Sequence, residues 1–270
     1  WDAKATGGNG TSLGMKTGAS GSNATAVGAY AQATKISATA VGNNAAATGN
    51  NSAAVGYTAR ADQENDNAFG SETHANGGGA TAVGYLVNTT GNQAFGAGSK
   101  TTVSGPAAVG IGYMSEATGN RAVALGSELN GTNNGATADY AIAVGAGARG
   151  TAESATAIGK QAAASKSDAV AVGTSTAASA EKAAAYGFNA RATAAGALAL
   201  GATTTASDVN SVALGTSSAT AAAVNTSTMT ISGKSYTLAG GTADSTVSVG
   251  NSTTKRTITN VAAGRVSATS

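Results

Sequence analysis

His74 is the only histidine in the 270 residues, so any serine, histidine and aspartate relay has to run through it. It lies in Thr73-His74-Ala75-Asn76-Gly77-Gly78-Gly79, which reads as a corner whose imidazole faces water. The carboxylates Asp62, Glu64, Asp66, Glu72, Glu116, Glu128, Asp139, Glu153 and Asp168 stand singly or in loop-like stretches. A glycosidase needs two of them flanking a groove, and these acids are mostly isolated along the chain. Glu64 and Asp66 offer a cation two acids, short of the ligand count of a calcium site. Cysteine is absent, which removes disulfides, zinc-thiolate sites and thiol chemistry. The 15 basic side chains are scattered, and the net charge is +2, so no contiguous surface for nucleic acid forms. No apolar run reaches the roughly 20 residues of a membrane span, and we expect no direct membrane contact. The polar start at Trp1 reads as a mature segment or an excised piece of a longer chain. The residue inventory therefore points away from an enzyme and calls for no catalytic residue, cofactor or metal.

What the chain does have is a period. Gly14, Gly28, Gly42, Gly56, Gly70 and Gly84 are 14 residues apart, and Gly145, Gly159, Gly173, Gly187, Gly201 and Gly215 resume the spacing. Gly96, Gly110 and Gly126 lie between the two runs, and Gly250 is a last copy. Each glycine follows an apolar residue: Leu13, Val27, Val41, Val55, Phe69, Val83, Phe95, Val109, Leu125, Val144, Ile158, Val172, Tyr186, Leu200, Leu214 and Val249. The residue before that is alanine except at Ser12 and Ser248.

A 14-residue period is too short for a helical hairpin repeat and fits one rung of a β-solenoid. Strand side chains alternate between faces, so the alanine and the large residue point opposite ways. The alanine must point into a thin coil, and the large residue must point out. Three and five residues after the glycine, small side chains such as Ala31 and Ala33, or Ala45 and Ala47, give the second strand its inward methyls. The glycine then marks a corner that needs φ > 0 or close backbone approach.

An alanine interior buries little apolar area against about 1–2 kcal/mol of backbone entropy per residue. The outward column is far larger than a soluble monomer leaves wet. We expect it to be a homotrimer interface formed by Val27, Val41, Val55, Phe69, Val83, Phe95, Val109, Leu125, Val144, Ile158, Val172, Tyr186, Leu200 and Leu214.

The steps of 12 (Gly84 to Gly96), 16 (Gly110 to Gly126) and 19 (Gly126 to Gly145) read as loops bulging from corners, and Asp62 to Asn67 and residues 127–140 as segments projecting into solvent. Thr228 to Leu238, centred on Ser232-Gly233-Lys234, reads as a β-hairpin. The organisation expected is a head over 1–215, a hairpin-containing cap over 216–245, and a last coil with the start of a neck over 246–270. Two rival readings need other features. A β-helical polysaccharide-degrading enzyme or tailspike needs acids on successive rungs. An ice-binding solenoid needs an unbroken threonine array, but Thr25, Thr39, Thr81 and Thr156 are interrupted by Ala53, Asn67, Gln93, Val123 and Ile142.

The rungs Ser37-Ala38-Thr39-Ala40-Val41-Gly42 and Asn210-Ser211-Val212-Ala213-Leu214-Gly215 resemble the YadA-like head of trimeric autotransporter adhesins. Ile258, Thr259, Asn260, Val261, Ala262, Ala263 and Gly264 resemble that family's neck. The resemblance spans Gly14 to Gly264. It implies an all-β, left-handed parallel β-roll (β-solenoid), three chains packed in parallel, and a fibre anchored in the bacterial outer membrane. It also implies attachment to extracellular matrix protein, host cells or abiotic surfaces by many weak contacts at once. The collagen-type motif of some members is matched at Asn210, Ser211, Val212, Ala213, Gly215 and Ser217.

Overall fold

The computed structural model describes residues 2–262 apart from positions 133 and 239. Through these residues the chain winds as an all-β parallel solenoid of about fifteen coils. Each coil gives one short strand to a 16-stranded first sheet and one to a 15-stranded second sheet. The first sheet opens with Thr11–Leu13, Thr25–Val27 and Thr39–Val41, and the second with Lys4–Ala5, Gly18–Ala19 and Gln32–Ala33. Each rung shifts the chain by one period, so Val27 lies beside Val41 and Val41 beside Val55.

The interior is built of methyl groups. Ala26, Ala40 and Ala54 from the first sheet and Ala33, Ala47 and Ala61 from the second are fully buried, as the alternation of strand side chains requires. At the corner, Gly42 has φ +135°, and a Cβ there would lie 2.3 Å from the carbonyl oxygen of Gly56. Conformation and close stacking both exclude a side chain. Left-handed residues also recur every seven positions, at Lys16, Asn23, Tyr30, Ser37, Asn44, Asn51, Thr58 and Asn65. Each coil therefore turns twice with the same backbone geometry. The glycine pattern revealed only one of those corners, because asparagine or serine takes the left-handed position in the other, at Asn23, Ser37, Asn51 and Asn65.

The irregular steps before Gly126 are not loops. Gly84, Gly98 and Gly112 stand side by side, so the corner column keeps its period through Gly98 and Gly112. Gly96 and Gly110 instead occupy inward positions between Ala82 and Ala124. They are small because Val87 and Val103, both fully buried, fill the interior from the other side. A Cβ on Gly96 would lie 2.3 Å from the Oγ1 of buried Thr89 and 3.1 Å from Val87 Cγ1, and one on Gly110 would lie 2.5 Å from Val103 Cγ2. Volume has moved from one strand to the facing one. Phe95 and Val109 consequently stand in the column of Thr81 and Val123, while Ala97 and Ile111 take the places beside Val83 and Leu125. Gln93 belongs to a corner, with φ 54°, rather than to the threonine column.

The long step from Gly126 to Gly145 is a true insertion, since Leu125 still pairs with Val144. Its tip closes through a bridge between Leu129 and Thr132. Its end is anchored by Asn134, which is fully buried. The Asn134 amide donates to the carbonyls of Ala143 (3.2 Å) and Gly145 (2.9 Å) and accepts from Ser115 Oγ at 3.0 Å. Asp62 to Asn67, by contrast, forms an ordinary corner. Asp66 is buried, and its carboxylate accepts the backbone N–H groups of Gln63 and Ala80, each at 2.9 Å. Both carboxylate oxygens are thus engaged by the backbone. After Val212–Leu214, an exposed hairpin of Thr228–Ile231 and Lys234–Thr237 leaves the solenoid. Val247–Ser248 then returns to pair with Val212 and Ala213.

Candidate adhesive surfaces

The two outer faces differ chemically. On the first sheet, the column of Val27, Val41, Val55, Phe69 and Val83 continues through Ile111, Leu125, Val144, Ile158, Val172, Tyr186, Leu200 and Leu214. Phe69 is 40% exposed, Ile158 40%, and Leu214 43%. The flanking column starts with Thr25 and Thr39 and ends with Val170, Leu198 and Val212, so the apolar band widens toward the C-terminal coils. Phe95 and Val109 lie on this same face, one column over. On the second sheet, the residue after each strand is a hydroxyl side chain on most rungs, among them Thr34, Thr48, Thr90, Ser104, Thr118, Thr137, Thr151, Ser165, Ser179, Thr193 and Ser207. Each of these is exposed or half-buried. One face is oily and the other is wet.

His74 stands in the strand His74–Ala75 of the second sheet, beside Arg60, rather than at a corner. Its Nε2 is 2.8 Å from Asp62 Oδ2. Arg60 reaches the same oxygen at 3.1 Å, and Thr48 Oγ1 donates to Asp62 Oδ1 at 3.0 Å. Burial pushes the Asp62 carboxyl up, but the hydrogen bonds from His74 and Thr48, with the charge and hydrogen bonds of Arg60, outweigh it and hold the group below its ordinary value. A hydrolytic relay requires the hydroxyl to bond the imidazole. Here hydroxyl and imidazole both bond the carboxylate, so the cluster ties adjacent coils together. The sequence signal was available as residues 60 and 74 one period apart, with 48 and 62 likewise. Among the described residues no group of three or more histidines and carboxylates converges as a metal site.

At the C-terminal end, the Arg256 guanidinium donates to the carbonyls of Thr216 and Val249 and to Ser218 Oγ. These bonds hold the edge of the last described coil. The YadA head domain repeat matches residues 19–45, 33–59, 47–66, 68–86, 104–128, 151–176, 164–190 and 192–218, which together cover more than half of the chain. The chain belongs to the YadA head family. No curated protein matches it. The repeat matches of this YadA head lapse between 86 and 104, where glycine and valine exchange places in the interior, and between 128 and 151, where the insertion lies. YadA heads form an adhesin family.

Of the collagen-type motif residues, Ser211 and Ala213 are buried in this YadA head. Ser211 Oγ accepts the Thr246 N–H at 3.1 Å, and Gly215 takes φ +96° at the corner. Asn210 is exposed at a left-handed position, Val212 is half-buried, and Ser217 bonds Thr203 through its hydroxyl at 2.9 Å. Of the neck residues, Ile258, Thr259, Asn260, Val261 and Ala262 are exposed. Ala263 and Gly264 lie outside the described residues.

Proposed function

We propose that three copies of this YadA head associate through the apolar face of the first sheet, and that the trimer attaches bacteria to surfaces outside the cell. The observation that carries this reading is the contrast between the two faces. A continuous apolar band of this length costs too much exposed, while the opposite face, rich in serine and threonine, is suited to remain in water. Burying the column adds roughly 1.5–3 kcal/mol for each large side chain fully covered, a gain the alanine interior lacks. Phe95 and Val109 join the same interface from the flanking column. Closed threefold symmetry sets three identical outer faces around one axis, and many weak contacts then add through effective concentration.

Light scattering tests the assembly. A mass of three times 25.4 kDa is expected, and Val41→Asp with Val55→Asp should yield monomer or unfolded chain. A folded variant that stays trimeric sinks the apolar interface. Attachment is tested by displaying the head on cells that lack it and counting those retained on matrix protein, cultured cells and plastic. Retention no greater than that of bare cells on all three overturns the adhesive reading.

A further inference from the structure

The corner column that follows the glycines carries a pattern with twice the period of the fold. Tyr57, Ser71, Tyr85, Ser99, Tyr113 and Ser127 occupy this position on six successive coils. Tyr85, Ser99 and Tyr113 are in direct register. The ladder is continuous, because Tyr57, Ser71, Tyr85, Ser99 and Tyr113 each accept a backbone N–H from the following coil, donated by Glu72, Leu86, Lys100, Met114 and Glu128 at 2.8 to 3.1 Å. The three tyrosines are 57%, 46% and 44% exposed. Lys100 Nζ lies 5.9 Å from the Tyr113 ring centroid.

The alternation does not serve the roll. Aromatic side chains stabilise one another at centroid separations of about 4.5–7 Å, which a tyrosine on every coil would allow at the roughly 4.8 Å strand spacing. Placed on every second coil, the rings recur at roughly 9.6 Å, twice that spacing, beyond mutual stacking. Single hydroxyls stand between them. The result is a comb of separated aromatic side chains on a rigid axis, in a chain with only 4% aromatic residues.

We infer that this comb is a docking surface for an extended, neutral β-1,4-linked glucan chain. In such a chain each sugar is rotated by half a turn from the last, so the same face returns at every second sugar, a distance close to two coils. The apolar C–H face of alternate sugars would rest on Tyr57, Tyr85 and Tyr113, and the intervening sugars would exchange hydrogen bonds with Ser71 and Ser99. The adjoining corner residues Glu72, Leu86, Lys100, Met114 and Glu128 carry two acids and one base, a weakly charged rim that suits a neutral ligand rather than a polyanion. Lone serine hydroxyls provide no apolar niche for an acetamido methyl, which favours glucose units over N-acetylglucosamine. This inference deepens the adhesive reading by naming a ligand, and it rests on that reading for its biological sense.

The test is binding of cellohexaose, cellobiose and chitohexaose to the 270-residue chain, followed by tyrosine fluorescence and checked by retention on cellulose powder. Cellohexaose should bind at least tenfold more tightly than cellobiose, which spans one tyrosine. Each of Tyr57→Ala, Tyr85→Ala and Tyr113→Ala should weaken binding about two- to tenfold, and the triple variant should abolish it. Tyr140→Ala, a corner tyrosine outside the comb, should change nothing. Absent binding by the parent chain, undiminished binding by the triple variant, or binding of chitohexaose alone each overturn the proposal. Triple-variant cells still retained on matrix or plastic, with cellulose retention unchanged, would remove the comb and leave the adhesive reading intact. Loss of every attachment by the parent would remove that reading too.

Discussion

Asp62 is a residue whose neighbours were hidden by sequence distance and revealed by the period. Its carboxylate is held ionised by His74, Thr48 and Arg60 against the upward push of burial. A group whose folded pKa lies below its unfolded value contributes stability above the unfolded value, near 3.9, and loses it as pH falls through the folded value. Thermal unfolding followed from pH 7 to pH 2.5 should therefore show a loss in the acid range that Asp62→Asn lacks. At pH 7 the same variant should be about 1 kcal/mol less stable, the scale of a hydrogen bond to a charged partner on a partly exposed site. A parallel acid profile for parent and variant would sink this account. His74 was misread as a solvated corner residue because the three glycines that follow it are strong turn signals. The strand ends just before them, and the pairing of Arg60, His74 and Asn88 overrides the local composition.

At the level of the strand, the inward alanine, the outward apolar residue and the corner glycine are where the sequence puts them throughout the two unbroken runs, Gly14 to Gly84 and Gly145 to Gly215. The sequence reading fails at Gly96 and Gly110, where an Ala-Phe-Gly or Ala-Val-Gly string imitates the corner motif two positions early. The pair of columns, rather than one glycine, carries the register: Val83 beside Ala97 and Ile111, and Val103 inside against Gly110. Facing volume is what conserves the fit. Gly110→Ala alone should cost roughly 1–3 kcal/mol by overpacking against Val103, and Val103→Ala alone about 2 kcal/mol by leaving a void. Together they restore the alanine-on-alanine rung found elsewhere. The double variant should be at least 1 kcal/mol more stable than the sum of the two losses predicts. Urea unfolding of the four proteins measures that coupling, and simple additivity would contradict the exchange of volume. The insertion after Gly126 was legible as an excess of five residues, but the burial of Asn134 was not. Nothing in Asn-Asn-Gly announces that one amide will reach the carbonyls of Ala143 and Gly145.

For the whole molecule, the family and the solenoid could be read from period and alternation, because both depend on residue type at fixed spacing. The apolar outer column of the first sheet followed from the same alternation. The comb of tyrosines did not, since a two-coil pattern becomes visible only after the columns are aligned at Gly98 and Gly112. The stacking of identical coils also has a mechanical consequence. Hydrogen bonds between neighbouring coils point along the solenoid axis, so a pull along that axis loads all the bonds of one junction together and leaves the next junction intact until the first opens. Each 14-residue coil set free would lengthen the molecule by roughly 43 Å, taking about 3.4 Å per extended residue less one strand spacing. The coil between Gly126 and Gly145 would release roughly 60 Å on the same basis. Single-molecule stretching between the ends of the roll should give a regular sawtooth with one long tooth, so that the insertion becomes a marker of how far along the roll the rupture has travelled.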